Sequence, residues 1–212
     1  MKSFIIIKLG ITGSIASGKT TLCQILEEEG VRVFYADKVV AELYKDKKIQ
    51  NVLTKIFGKE ILKNGKINKD RIRKAILNNP ESRIKLEALF HPLVKEKLRE
   101  FFREEEQRGA LICAAEIPLL FEAGWKKFFD EVWVISCKKE LQLRRMLKRG
   151  LEPEEAKAFL KLQLSLEEKA KMADRVFSSE ISLEELKRQV QEALNELKVK
   201  AQSFKADQPL SV

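Results

Sequence analysis

Residues 13–20 constrain this chain more than any other segment, because they read GSIASGKT and fit the pattern G-x-x-x-x-G-K-[ST]. The apolar run at 4–12 predicts a buried strand before them, and residues 20–29 predict a helix after them. Glycines let the loop turn its backbone N–H groups towards an anion, and the helix dipole favours phosphate at the helix start. Strand, loop and helix together predict a P-loop for nucleotide phosphates, rather than an ordinary strand-to-helix turn.

The residue types in this loop predict how it holds ATP. We expect Lys19 to reach the β- and γ-phosphates, and the Thr20 hydroxyl to ligate Mg²⁺ between them. Backbone amides from Ala16 to Thr21 would hold the β-phosphate. The predicted nucleotide site therefore comprises Gly13, Ser14, Ile15, Ala16, Ser17, Gly18, Lys19, Thr20 and Thr21.

Composition narrows the class of partner without naming one. The chain has 212 residues and a net charge of +9, which suits anionic ligands such as nucleotides. It has no apolar stretch of the roughly 18 residues that a membrane helix needs, and no zinc-finger spacing or aromatic RNA-binding signature. Its three cysteines lie far apart in apolar stretches, which indicates buried thiols in a reducing compartment. We expect a cytoplasmic protein with no membrane or nucleic-acid partner, and a monomer, although the sequence excludes no oligomer.

Strand and helix patterns alternate along the chain, which predicts a parallel α/β sheet with helices on both faces. After the first strand, further strands are predicted at 31–35, 110–115, 131–135 and 175–177. Residues 46–108 carry almost no strand signal, and Asn64-Gly65 marks a turn within them. Beyond the first helix, helices are predicted at 38–45, 69–77, 81–90, 92–106, 138–149, 153–163, 166–173 and 183–197.

The predicted fold is a three-layer α/β/α P-loop NTPase with a parallel sheet, a helical insertion and a helical lid. The insertion is 37–108, and the lid with its connecting helices is 138–173. Residues 199–212 lack periodicity and are predicted to form a disordered tail. The P-loop core is then assembled from residues 1–36, 109–137 and 174–198.

Ligands of parallel sheets bind beyond the carboxyl ends of the strands, so the polar residues there are the candidates for chemistry. Asp37 follows the second strand and is either a proton acceptor or a helix N-cap, with neither favoured. Glu116 ends the third strand, where an acid can help to hold Mg²⁺. The basic helix 138–149 is either a solvated face or an arginine-bearing lid. His91 precedes Pro92 at a predicted helix start, and a structural role is favoured for this single histidine.

Several short motifs, in their order and spacing, resemble those of the dephospho-CoA kinases over most of residues 8–180. The family's L-T-G-G-I-G-S-G-K-S is similar to residues 11–20, and its D-A-D to residues 35–37. Its H-P-L is similar to residues 91–93, and its D-I-P-L-L-F-E to residues 116–122. Its Q-x-x-R-x-x-x-R pattern, its later glutamine and its A-D pair match Gln142, Arg145, Arg149, Gln163, Ala173 and Asp174.

The resemblance implies transfer of the ATP γ-phosphate to the ribose 3′-hydroxyl of dephospho-CoA, which gives CoA and ADP in the last step of coenzyme A biosynthesis. It implies that residues 37–108 bind the acceptor and that Asp37 accepts its proton. It also implies that Arg149 covers the γ-phosphate with Arg145 beside it. The implied acceptor contacts are Asp37, His91, Leu119 and Gln163, and the implied metal contacts are Thr20 and Glu116. The alternative is a P-loop kinase for another small acceptor, such as a nucleoside monophosphate or shikimate.

The chain departs from the family pattern at several positions near the site. Ser14 and Ala16 replace two loop glycines, and we expect negative φ angles at both because a Cβ makes positive φ costly. Tyr35 replaces the first acid of D-A-D, and Glu116 replaces an aspartate. Ser179 stands where the family has an asparagine after the last strand. None of these changes removes Lys19, Thr20 or Asp37.

Overall fold

The structure is a computed structural model that describes residues 6–206, without the side chains of residue 78 and residues 204–206. The described residues fall into two compact units, one within Met1–Phe34 and Phe101–Val212 and the other formed by Tyr35–Glu100. The second unit ends at Glu100, inside a helix, rather than at residue 108 where the predicted insertion ends.

The elements alternate much as the sequence pattern predicts. The strands are β1 (Ile7–Thr12), β2 (Val33–Tyr35), β3 (Leu62–Lys63), β4 (Lys66–Ile67), β5 (Ile112–Glu116), β6 (Glu131–Ser136) and β7 (Arg175–Ser178). The helices are α1 (Lys19–Glu28), α2 (Ala36–Leu43), α3 (Lys47–Phe57), α4 (Lys69–Asn78), α5 (Pro80–Gln107), α6 (Lys139–Lys148), α7 (Pro153–Lys161), α8 (Leu166–Met172) and α9 (Leu183–Ala206). None of the described helices is long and apolar enough to cross a bilayer.

A five-stranded sheet in the order β2-β5-β1-β6-β7 carries the site. The pairings of β1 with β5, of β1 with β6 and of β6 with β7 are parallel. In this register Ile11 lies opposite Glu116 on one side and opposite Trp133 on the other. Since β1 is central, its side chains Leu9 and Ile11 are fully buried. The predicted three-layer α/β fold is confirmed, and the loop after β1 emerges at the middle of the sheet edge.

The unit of residues 35–100 has a hydrophobic core of its own. Its buried side chains are Leu53, Phe57, Ile61, Ile72 and Phe90. Residues 46–108 carry almost no strand signal in the sequence, whereas β3 and β4 form an antiparallel hairpin around the predicted Asn64-Gly65 turn. Both turn residues have positive φ, 52° and 73°, as a tight hairpin turn requires. Strands of two residues are too short to show an alternating pattern, which is why the sequence did not reveal them.

The predicted break between helices 81–90 and 92–106 is wrong, because α5 is continuous and Pro92 lies inside it. An interior proline removes one helical hydrogen bond and costs about 3 kcal/mol or more. Burial on one face opposes this cost, since Phe90, Val94 and Leu98 recur at intervals of four residues and are 5%, 3% and 1% exposed. Tertiary burial therefore overrides the local signal of the proline.

The predicted disordered tail is also wrong over residues 199–206, where α9 continues to Ala206. The apolar stripe of this helix, which includes Val190, Leu194 and Leu197, extends four residues further to the fully buried Ala201. A small apolar residue with polar neighbours gives little sequence signal, but its burial stabilises the helix beyond residue 197. The rest of the predicted tail, residues 207–212, lies outside the described residues.

All three cysteines are buried and free, as the sequence predicts. Burial raises the pKa of the Cys113 thiol to about 12, so this side chain remains a neutral core residue at neutral pH.

The burial of Ala201 provides a test of the extended α9. We expect Ala201→Glu to lower the free energy of unfolding by about 1–3 kcal/mol, because it places a polar group in a buried site. The neighbouring exposed Gln202→Glu adds the same charge and should change stability by less than about 0.5 kcal/mol. Urea unfolding followed by circular dichroism measures both. Equal effects of the two substitutions would contradict burial of Ala201.

Candidate functional site

The loop between β1 and α1 is a tight turn that requires its glycines. Gly13 has a φ of 152°, and a Cβ built there would lie 2.7 Å from the Ile135 carbonyl oxygen and 2.6 Å from the Ser17 hydroxyl. Gly18 is the N-cap of α1, with a φ of 114°, and a Cβ there would lie 2.9 Å from the Ser179 Cβ. The loop is therefore packed against the ends of β6 and β7 as closely as backbone allows.

One prediction about this loop is wrong. Ala16, which replaces a family glycine, has a φ of 59°, whereas Ser14 keeps a φ outside the positive range as expected. A left-handed conformation costs a residue with a Cβ about 1–2 kcal/mol. The Ala16 methyl group is buried against Met146 of α6 and Ala156 of α7. Burying one methyl group returns about 0.8 kcal/mol, which offsets much of the strain.

Side chains bind every carbonyl oxygen from Gly13 to Ser17. Lys19 Nζ donates to the carbonyls of Gly13, at 3.2 Å, and Ser14, at 3.0 Å. Gln142 Nε2 donates to the carbonyl of Ile15 at 2.6 Å. A carbonyl and the N–H of the next residue belong to one planar trans peptide and point in opposite directions, so bonds to the carbonyls also fix the directions of the following amides. The remaining two carbonyls, those of Ala16 and Ser17, accept from Arg145 Nη1 at 3.3 and 3.4 Å.

Gln163 contacts the phosphate loop directly. Its Oε1 accepts from the Ser14 hydroxyl at 2.9 Å and from the Ile15 amide at 3.2 Å. The amide of Ile15 is thus bonded within the protein, and so is the amide of Ser17, which donates to the Ser14 carbonyl at 3.3 Å. The amides proposed for phosphate begin at Ala16, and that of Ser17 would exchange this bond for a phosphate oxygen. The resemblance implied an acceptor contact for Gln163, whereas the structure places it on the loop. The hydrogen bond from Ser14 to Gln163 depends on the serine, because the glycine of the family pattern has no hydroxyl to donate.

Arg145 and Arg149 line one cavity with the loop that follows β7. The Arg145 guanidinium donates to the Ser179 hydroxyl at 2.8 Å and to its carbonyl at 3.0 Å. Arg149 is the C-cap of α6 and is exposed. The cavity has a volume of about 290 Å³, and its lining also includes Gly18, Thr21 and Ile181. Two arginines and the start of α1 make it positively charged, which suits a nucleotide.

The oxygen-bearing residues predicted for Mg²⁺ occupy the same edge of the sheet. Thr20 is exposed in the first turn of α1, and Glu116 is half-buried as the last residue of β5. Leu119, implied as an acceptor contact, is half-buried in the segment that follows β5. Among residues 6–206, no group of three or more His, Cys, Asp and Glu side chains is arranged to hold a metal ion.

Asp37 and His91 belong to the unit of residues 35–100. Asp37 is exposed in the first turn of α2, and Tyr35 is the N-cap, so the N-cap interpretation of Asp37 is wrong. His91 lies in the middle of α5 rather than at a helix start, and it is half-buried. Burial lowers the pKa of His91, although Glu87 opposes this shift. Its imidazole is therefore neutral at pH 7.

Two residues beside the loop were missed by the sequence reasoning. Lys169 is fully buried on α8 and makes an ion pair with Glu122 at 3.0 Å. A lysine on a helix rich in charge indicates a solvated side chain, so the sequence pattern predicts exposure of Lys169 where the structure has burial. Glu122 closes the D-I-P-L-L-F-E motif, which was the available signal for it.

The crowding around Gly18 can be tested against a glycine in open space. Gly30 also has positive φ, 80°, but no atom lies within 4 Å of a Cβ built there. We expect Gly30→Ala to lose about 1–2 kcal/mol of stability from backbone strain alone. Gly18→Ala should lose about 1–3 kcal/mol more from overpacking against Ser179 and should also weaken ATP binding. Chemical denaturation and calorimetric ATP titration measure these effects, and equal losses in both variants would contradict the close packing.

Comparison with known proteins identifies the family. The sequence profile described as Dephospho-CoA kinase matches residues 7–185. A dephospho-CoA kinase of Brucella melitensis is 40% identical over 192 residues, which is 90% of this chain and 95% of that protein. The crystal structure of TT1252 from Thermus thermophilus is 33% identical, with a TM-score of 0.78, and the match covers 91% of this chain and 98% of that one. A Campylobacter jejuni dephospho-CoA kinase is 29% identical, with a TM-score of 0.66, and the match covers 91% of this chain and 98% of that one. The chain therefore belongs to the dephospho-CoA kinase family and is a kinase with the P-loop fold.

Proposed function

We propose that this chain transfers the γ-phosphoryl group of ATP to the ribose 3′-hydroxyl of dephospho-CoA, giving CoA and ADP. The observation that carries the proposal is the family profile, which matches residues 7–185 and so spans the phosphate loop, the lid helices and the acceptor motifs together. We also propose that the enzyme acts in the cytoplasm as a monomer, without a membrane or nucleic-acid partner.

In this proposal the phosphate loop binds the triphosphate. The backbone amides from Ala16 to Thr21 bind the β-phosphate, and Lys19 bridges the β- and γ-phosphates. Lys19 Nζ contacts the carbonyls of Gly13 and Ser14, so nucleotide binding would exchange these bonds for phosphate oxygens. The ammonium is held within the loop before ATP arrives, which lowers the cost of ordering it. The adenine half of ATP would occupy the cavity beside Arg145 and Ser179.

The oxygen donors near the loop fit Mg²⁺, which takes oxygen ligands and keeps several waters and substrate phosphates around it. Thr20 would provide its hydroxyl, and Glu116 would act directly or through water, since it is one methylene longer than the family's aspartate. A bound Mg²⁺ would neutralise charge on the β- and γ-phosphates during transfer. The other groups of the site bind and orient the two substrates.

Asp37 and Arg149 have the proposed catalytic roles. Asp37 orients the acceptor hydroxyl and accepts its proton, which its exposure in the first turn of α2 permits. Arg149 lies at the end of α6 and stabilises the negative charge that develops on the transferred phosphoryl group. The transition state of phosphoryl transfer is loose in most analyses, so positioning and charge contribute more than base strength.

A coupled assay of ADP release with a panel of acceptors tests the proposed substrate. Dephospho-CoA should support turnover, whereas nucleoside monophosphates and shikimate should give rates close to the background ATPase. Turnover that is fastest with another alcohol would overturn the proposed acceptor while leaving the kinase fold intact. Mass spectrometry of the product, with a gain of one phosphoryl group at the 3′ position, completes the test.

Replacing Asp37 by Asn tests the proton acceptor. We expect kcat to fall by about 10²–10⁴-fold, as for loss of a general base, while ATP affinity changes little. Glu42→Gln on the same helix also removes an exposed carboxylate and should leave kcat unchanged. An Asn variant that turns over at nearly the parent rate would show that Asp37 is not the base.

Replacing Arg149 by Ala tests the lid arginine. We expect kcat to fall by about 10²-fold or more, because the interaction is strongest when charge develops in the transition state. The KM for dephospho-CoA should change little, and the exposed neighbour Lys148→Ala should behave like the parent. A change confined to the KM for dephospho-CoA would instead place Arg149 on the acceptor.

A further inference from the structure

We propose that Lys169 is a positioning residue that holds the phosphate loop in its nucleotide-binding conformation. Lys169 lies on α8 and is fully buried. Its Nζ donates to the Pro118 carbonyl at 2.7 Å and to Glu122 Oε1 at 3.0 Å. Burial lowers the pKa of Lys169, and the Glu122 carboxylate opposes this shift. A buried ammonium without partners is very unfavourable. The two oxygens therefore fix the position of the Lys169 side chain, and Lys169 in turn fixes the positions of Pro118 and Glu122.

One path from Lys169 to the loop runs through Glu122. Besides the ammonium, Glu122 Oε1 accepts from the Leu164 amide at 2.9 Å. The preceding residue is Gln163, whose Oε1 accepts from Ser14 and Ile15 of the phosphate loop. The carboxylate therefore fixes the backbone from which Gln163 reaches the loop.

A second path runs through Pro118. Its carbonyl oxygen also accepts from the Thr12 hydroxyl at 3.2 Å. Thr12 is fully buried and is the last residue of β1, directly before Gly13. Lys169 thus bonds the Pro118 carbonyl, which contacts the start of the loop, and the Glu122 carboxylate, which holds the backbone beside Gln163.

The two paths close a ring that contains the loop. Lys169 has no exposed surface, so it acts on substrate through the residues it holds rather than by contact. Its two partners belong to the segment after β5 that also contains Leu119. An ion pair serving only to attach α8 would change stability without a selective effect on nucleotide binding. The inference rests on the proposed ATP site, and the two are tested by different measurements.

The test compares Lys169→Met with Lys171→Met, which removes an exposed ammonium from the same helix. Nucleotide affinity is measured by calorimetry without acceptor, at a temperature where circular dichroism shows both variants folded. We expect Lys169→Met to weaken ATP binding by about 10- to 100-fold, the effect of a small misplacement of binding groups. The KM for dephospho-CoA should rise by a smaller factor than the ATP affinity falls, because Lys169 holds the loop at two places and the acceptor contacts only at Leu119, and Lys171→Met should match the parent.

A double-mutant cycle with Gln163→Ala checks the proposed path. If Lys169 acts partly through Gln163, the two substitutions together should weaken ATP binding by less than the product of their separate effects. Multiplicative effects would overturn this path. The proposal as a whole would be overturned if folded Lys169→Met bound ATP within about twofold of the parent. It would also be overturned if the variant lost affinity equally for ATP and for dephospho-CoA.

Two further outcomes are distinguished. If Lys169→Met does not fold, Glu122→Gln carries the test, because it removes the charge that pairs with Lys169 and keeps an oxygen for the Leu164 amide. A loss of ATP affinity of about tenfold then supports the proposal, and an unchanged affinity contradicts it. Failure of the proposed function would appear differently, as a parent protein that binds ATP but releases no ADP with dephospho-CoA.

Discussion

Five successive carbonyl oxygens in the loop between β1 and α1 are bonded by side chains, and the nucleotide site depends on this constraint. The donors come from α1, in Lys19, and from α6, in Gln142 and Arg145. With the carbonyls held, the loop amides keep their directions before any ligand arrives. Preorganised donors cost little to bring to a phosphate, which is the physical advantage of a loop held from outside.

Three cations near the site bond oxygen atoms of the protein, of which Lys19 and Lys169 are buried and Arg145 is half-buried. Lys19 bonds two loop carbonyls, Arg145 joins the loop to Ser179, and Lys169 bonds Pro118 and Glu122. Arg145 bonds oxygens from two segments of the chain, whereas Lys19 bonds two adjacent loop carbonyls and Lys169 bonds two oxygens of the segment after β5. Some of the positive side chains that contribute to the net charge of +9 therefore have a structural role near the site. The positive charge also attracts the anionic substrates.

The sequence predicted the parallel sheet, the phosphate loop and most element bounds, because strand–loop–helix patterns and glycine positions are local signals. It failed where tertiary burial opposed the local signal. Pro92 indicated a helix start, yet apolar contacts keep α5 continuous. Ala16 was expected at negative φ, yet its methyl group packs against Met146 and Ala156 in a left-handed conformation.

The sequence by itself determined that a glycine loop with Lys19 and Thr20 follows a buried strand, and its ordered motifs determined the family. Only the tertiary structure decided which side chains hold that loop. Gln163 and Lys169 are 144 or more positions beyond Lys19 in the chain, and no local pattern reports whether a distant amide or ammonium turns towards solvent or towards a carbonyl. Tertiary packing decides this orientation, because a buried polar group is stable only where the fold provides a hydrogen-bond partner for it.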